Sequence, residues 1–145
     1  MKITIEQDAA CAEPEVKITC REMDEGLLRI VAALRALDHK LSGISEGRTF
    51  VFEPDEIYYF ESVDKRTFLY TADRVCETPL RLYELEGKLC HGDFFRASKS
   101  VIVNLSRIRM LNPMLGGKIE VVLENGERLM VSRQYVPMLK EKLGL

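Results

Sequence analysis

The residues with the clearest chemical potential are Lys99, inside residues 94–108 (FFRASKSVIVNLSRI), Arg133 and Gln134, inside residues 131–135 (VSRQY), and the adjacent cations Lys65 and Arg66 with Thr67 behind them. Each group stands beside a short apolar run of strand character. Side chains that hydrogen-bond to base edges must be long and cationic or amide-bearing, and must be mounted on rigid supports, a description that Lys99, Arg133 and the Lys65-Arg66 tip meet. The competing reading makes each of these cations a solvated charge on an edge strand, where Lys also discourages aggregation. Residue by residue, that blander reading is the commoner one, and composition alone leaves function open.

Catalytic chemistry finds less support. Acid–base work needs convergent titratable groups, but the carboxylates are scattered and the two histidines, His39 and His91, have no nucleophile signature such as G-x-S-x-G near them. No catalytic residue is assigned. Gly116-Gly117 reads as a turn between strands, because no G-x-G-x-x-G or G-K-[ST] surrounds it. The four cysteines, Cys11, Cys20, Cys76 and Cys90, show no C-x-x-C spacing, so neither a metal ligand set nor a disulfide framework is expected. Cys20 in an apolar run and Cys90 after Leu89 are expected to be buried reduced thiols. No cofactor is implied.

With 145 residues and 46% hydrophobic content, the chain is long enough to bury a sizeable core in one domain, or one domain with an appendage. Its net charge of −2 argues against coating nucleic acid by bulk charge. The distribution is uneven: residues 1–54 hold 7 Lys/Arg against 10 Asp/Glu, and residues 93–145 hold 9 against 5, so the C-terminal third is the basic part. The start lacks a continuous apolar leader segment, and no window approaches the roughly 18 apolar residues of a membrane span, which fits a cytoplasmic protein.

The elements that must position these groups follow from periodicity. Ile3 and Ile5, then Val16, Ile18 and Cys20, alternate with polar neighbours and predict two opening strands. Leu27, Ile30, Val31, Leu34, Leu37 and Leu41 predict one long helix that Asp24 caps. A boundary is placed near Gly43, after which strand-like runs take over at residues 50–52, 57–60, 68–70 and 75–77. Residues 62–67 form the connection that carries Lys65 and Arg66. Leu80, Leu82, Tyr83, Leu85 and Leu89 suggest a short helix. Further strands are expected at residues 101–103, 118–123 and 128–131, the last two joined through the tight-turn signal Asn125-Gly126. A terminal helix carries Pro137 in its first turn, so Arg133 and Gln134 fall at its entrance.

The order of these pieces resembles the LytTR family of bacterial DNA-binding domains over about residues 44–145. The motif F-x-R-x-x-x-S-x-x-V-N is met by Phe94, Arg96, Ser100, Val103 and Asn104, and the closing V-S-R by Val131, Ser132 and Arg133. The resemblance implies a mainly β protein, α+β overall: an elongated stack of short antiparallel sheets with a short helix and a C-terminal helix, preceded here by a small strand-strand-helix segment. It implies loops that enter the major groove in place of a recognition helix. Base-facing positions would be Arg66 or Thr67, Lys99 and Arg133, with Lys65, Arg66, Arg96, Ser98, Ser100 and Gln134 holding phosphates or positioning loops. Some relatives carry His at the first position and His-Asn at the second, so base preference is not transferable. Where some relatives place an oxidisable cysteine after the central arginine, this chain has Ala97.

About 43 residues precede the matched region, against roughly 110 or more for a phospho-accepting receiver domain, so control through a receiver is not expected. The segment 1–43 is too small to bury its own apolar stripe and needs its own domain, a second copy or an inhibitor as partner. The resemblance adds double-stranded promoter repeats as ligand, a homodimer on DNA, and a membrane-embedded antagonist as a further partner. No small-molecule substrate is inferred. The alternative is a β-rich protein-interaction module that binds an acidic partner.

Overall fold

The structure is a computed structural model describing residues 1–12, 14–90 and 92–145, the side chains of residues 36–39 aside. His91 and the side chains of Leu37 and His39, weighed above, therefore lie outside the described residues. The chain divides into two compact units, Met1–Leu34 and Arg35–Leu145.

The first unit corrects one expectation. Among its described residues there is no strand; its one regular element is the start of helix α1, Glu25–His39. Ile3, Ile5, Val16 and Ile18 alternate as strand residues do, yet all four are exposed, Ile5 at 86%. A lone pair of short strands gains too little burial to hold, and alternation without a surface to pack on does not make a sheet. Cys20 is correspondingly exposed, and so is Cys90, whereas Cys76 is buried. The α1 start is as the sequence suggests: the Asp24 carboxylate accepts from the Leu27 amide at 2.8 Å, an N-cap worth about 1 kcal/mol. The helix stops at His39, so Leu41, assigned above to its apolar stripe, belongs instead to the first strand and is buried there.

Among its described residues the second unit holds ten strands in two antiparallel sheets. Strands β1 (Leu41–Ser45), β2 (Arg48–Phe52), β3 (Ile57–Val63), β4 (Arg66–Thr71), β5 (Val75–Thr78), β6 (Phe94–Arg96) and β7 (Val101–Asn104) form the larger sheet in the order β2-β1-β5-β4-β3-β7-β6. Strands β8 (Ile108–Pro113), β9 (Ile119–Leu123) and β10 (Arg128–Val131) form the smaller one in the order β10-β9-β8. Helix α2, Leu82–Lys88, follows β5, and α3, Val136–Leu143, closes the chain with Pro137 in its first turn.

β7 is buried throughout and β3 over its first four residues, 57–60, because the larger sheet is covered on both faces there. Tyr58, Tyr59, Val101 and Val103 join one core with Val121, Leu123, Val131 and Leu139 from the smaller sheet and α3. Phe60, Ile57 and Ile102 join a second core with Leu82, Leu85 and Leu89 around α2. Continuous apolar runs are what a sheet covered on both faces requires. Gly43 lies within β1, and a Cβ there would stand 2.5 Å from the Cys76 Cβ, so the close approach of β1 to β5 favours glycine. The Asn104 amide, buried at the end of β7, donates to the Ile57 carbonyl at 2.9 Å and accepts from the Ser106 amide at 3.0 Å. Its donor and acceptor both have partners, as burial demands.

Candidate nucleic-acid interface

Backbone register brings the expected contact segments to one end of the molecule's β body. β3 runs antiparallel to β7 with Glu61 opposite Val101, and the Ser62 amide donates to the Ser100 carbonyl at 2.8 Å. The β3–β4 turn therefore extends beside the loop that joins β6 to β7. That loop is tied in turn to the smaller sheet, since the Ser132 amide donates to the Ala97 carbonyl at 2.8 Å. Val131 pairs with Ile119 and Pro113 pairs with Ile119, so the β8–β9 turn lies at this same end. Ala97 is wholly buried at the junction.

The loop carrying Lys99 is held by Arg96. Its Nε donates to the Ser98 carbonyl at 2.7 Å, one terminal nitrogen donates to the Lys99 carbonyl at 2.5 Å, and the other is paired with the Glu86 carboxylate. Two neutral acceptors on the loop and one carboxylate on α2 occupy the guanidinium, which fixes its planar fork and with it the loop backbone. The Lys99 side chain is left exposed. Arg96 itself is directed into the protein and serves the loop.

Arg133 opens a single 3-10 turn, Arg133–Tyr135, that leads directly into α3. Its aliphatic stem lies against the β8–β9 turn, where a Cβ on Gly117 would come within 3.3 Å of its Cγ and Cδ. Gly117 also sits at φ +79°, a left-handed conformation that glycine adopts without strain. Ser98, Lys99, Ser100, Leu115, Gly116, Lys118, Ser132, Arg133 and Gln134 line one open depression of about 670 Å³. Three cations, three hydroxyls and an amide share it with no carboxylate. Among the described residues, Lys99, Lys118 and Arg133 have no acidic partner, unlike Arg66, Arg96, Arg107 and Arg128. Of the acidic groups of this sheet, Glu120, one position in from the depression end, is taken up by Arg128 at 3.0 Å and the Asn112 amide at 3.2 Å, while Glu124 pairs with Arg107 at 3.0 Å at the other end. There the charge of Glu127, with burial as the larger cause, pushes the Tyr59 phenol well above its usual range.

The β3–β4 hairpin is tighter than residues 62–67 suggested. Asp64 and Lys65 alone form the turn, with φ of 50° and 65°, and Val63 pairs with Arg66 across it. A two-residue turn with both centres left-handed matches the twist of a hairpin. Lys65 projects from its tip and is exposed. Arg66 is engaged elsewhere: its Nε and a terminal nitrogen donate to the two Glu77 oxygens at 3.0 and 2.6 Å, and its guanidinium lies 5.3 Å from the Phe68 ring centre. That guanidinium holds the Glu77 carboxyl below the usual carboxylate range. Thr67, expected above as a base-facing candidate, is 5% exposed and paired with Thr78 inside the sheet. Its side chain is buried in the sheet, because the shorter turn places it one position inside the strand.

Lys118, Leu115 and Gly116 were not named as site residues by the sequence reading. They reach the depression through the pairing of β8 with β9, which no local pattern encodes. The only signal was Gly116-Gly117, legible as a turn but not as a neighbour of Arg133.

A cationic surface is thus carried on strand ends and turns beside a sheet packed on both faces. Residues 47–144 match the family model described as the LytTr DNA-binding domain, and the chain belongs to that family. It is 31% identical over 100 residues to the sensory transduction protein LytT of Enterococcus faecalis, covering 69% of this chain but only 41% of that protein. It is 29% identical to a Staphylococcus aureus protein named as an uncharacterized HTH-type transcriptional regulator, covering 100% of this chain and 99% of that one. A LytTr DNA-binding domain of a methyl-accepting/DNA response regulator from Bacillus cereus superposes with a TM-score of 0.70 at 24% identity. The match covers 74% of this chain and 98% of that one, which establishes the fold. Although the S. aureus relative is named helix-turn-helix, in this chain α2 and α3 are separated by strands β6 to β10 and do not form such a pair.

Proposed function

We propose that the chain is a sequence-specific transcription regulator whose loops enter the major groove of double-stranded DNA at repeated promoter half-sites. The observation that carries this reading is the carboxylate-free depression in which Lys99, Lys118 and Arg133 stand together. Arg133 and Lys99 read base edges, because a guanidinium fork or an ammonium matches the paired acceptors of guanine. Ser98, Ser100 and Gln134 hold phosphates, and Lys65 reaches the backbone from the hairpin tip. Arg66 shapes the hairpin through Glu77. Family membership and the regulator names of relatives support DNA as the ligand.

In this reading the protein binds as a homodimer or as paired copies, and works in the cytoplasm. No helix among the described residues is long and apolar enough to cross a membrane. The first unit, with Ile3, Ile5 and Val16 exposed, is where a second copy or a membrane-embedded antagonist engages.

The test is a titration of the whole chain against a site selected from random DNA and against scrambled DNA, over a range of salt. The expected result is tight, specific binding with log K falling by about 0.9 per phosphate contact for each decade of salt. Equal, salt-insensitive binding to both DNAs, or binding only to an acidic protein, contradicts the reading.

A further inference from the structure

Among the described residues, Leu115, 98% exposed, is the most exposed large apolar side chain after Met1. It stands at the tip of the β8–β9 turn, on the rim of the depression that holds Lys99 and Arg133. The turn is built to hold it there. The Met114 amide donates to the Lys118 carbonyl at 2.9 Å and closes the loop, while Gly116 and Gly117 take φ of 81° and 79° to complete it within a few residues. Gly117 also seats the Arg133 stem, so the turn and Arg133 move as one packed unit. An isolated exposed leucine needs no explanation. One fixed beside an unpaired cation, on a turn closed by the Lys118 backbone, has a definite chemical complement.

Resting on the DNA-binding reading above, we propose that the β8–β9 turn is a further part of the DNA surface, in which Leu115 packs against a thymine methyl while Lys118 holds a neighbouring phosphate. The thymine methyl is displayed only in the major groove, among the hydrogen-bonding edges that Arg133 beside it is equipped to read. An apolar contact there reports A·T pairs at a position where no polar side chain of the turn reads a base. Burying one methyl is worth about 0.8 kcal/mol, or roughly fourfold in affinity.

The test uses the full chain and the DNA site selected from a random pool, with each thymidine replaced in turn by deoxyuridine, which removes only the methyl. Wild type should lose about fourfold at one thymidine per half-site. Leu115→Ala should bind the unmodified site about fourfold more weakly and be indifferent to the replacement at that position. The proposal is overturned if Leu115→Ala retains wild-type affinity, or if it weakens binding while keeping the full pattern of deoxyuridine penalties. It is also overturned if the variant changes only the bend of the DNA, which is the result for a wedge in the minor groove. Arg133→Ala on the same DNA separates this proposal from the reading beneath it. Loss with Arg133→Ala but not with Leu115→Ala removes only the thymine contact. No loss with Arg133→Ala removes the base-reading function itself.

Discussion

Replacing Arg96 with alanine separates a brace from a DNA contact. The guanidinium donates to the Ser98 and Lys99 carbonyls and is paired with Glu86 while remaining 22% exposed. A charge-assisted hydrogen bond contributes about 1.5 to 3 kcal/mol when well buried, and partial exposure brings each of these nearer to 1. The ion pair adds at most about 1 kcal/mol, because the Glu86 side chain is 46% exposed. The sum is a loss of about 2 to 3 kcal/mol in stability, or on the order of 5 to 10 °C in Tm. The loop keeps its backbone bonds from Ala97 and Ser98 to Val101, so only the Ser98-Lys99 tip is freed. Re-ordering that tip on DNA costs about 1 to 2 kcal/mol per residue at most, which after discount for the surviving bonds is about a tenfold loss of affinity. Arg96 touches no phosphate in this account, so the slope of log K against log salt should not change. Calorimetry and salt-dependent anisotropy on Arg96→Ala measure both quantities. A slope reduced by about 0.9 with an unchanged Tm would show that Arg96 grips the backbone, and the bracing role would be refuted.

Other positions give further expectations. Glu77→Gln releases Arg66, and the salt slope on DNA should steepen by about 0.9 as the freed cation finds a phosphate; an unchanged slope would show that the hairpin arginine stays out of reach. Because the folded Glu77 carboxyl titrates below its unfolded value, its contribution to stability is present at neutral pH and is lost as pH falls through the folded value. Wild type should therefore lose more stability than Glu77→Gln on acidification, as urea melts between pH 7 and pH 3 will show. Gly43→Ala forces a methyl against Cys76 and should cost about 1 to 3 kcal/mol without changing DNA specificity in the folded fraction. Lys118→Ala should lower the salt slope by about 0.9 and leave base discrimination intact, which a titration on selected and scrambled DNA checks.

Much of the β body was legible in residues 57–60, 68–70, 101–103 and 118–123, because buried strands write themselves as short apolar runs. β8 was missed because Arg109, Asn112 and Pro113 break its pattern, and its register with β9 slips between Ile108 and Met110. β1 was missed because Ser42, Gly43 and Ser45 carry no strand signal; its glycine is explained only by Cys76 on the neighbouring strand. The two N-terminal strands show the converse error, in which Ile3, Ile5, Val16 and Ile18 supply the period but nothing supplies a partner. Of the candidate site, Lys99, Arg133 and their hydroxyl and amide neighbours stand together in one depression. Thr67 was misplaced because the turn type, set by Asp64 and Lys65 at positive φ, decides which residue points outward. Lys118 stayed hidden because its nearness to Arg133 arises from strand pairing between distant segments.

Reading of base edges by Arg133 is the central claim, and its most direct test is the specificity ratio of Arg133→Ala. Affinities of the full chain for the selected site and for scrambled DNA are measured at one fixed salt concentration, for wild type and variant. The account predicts a loss of about 1 to 3 kcal/mol on the selected site with a much smaller loss on scrambled DNA, so that discrimination collapses. An equal loss on both would reduce Arg133 to a phosphate contact and contradict the account.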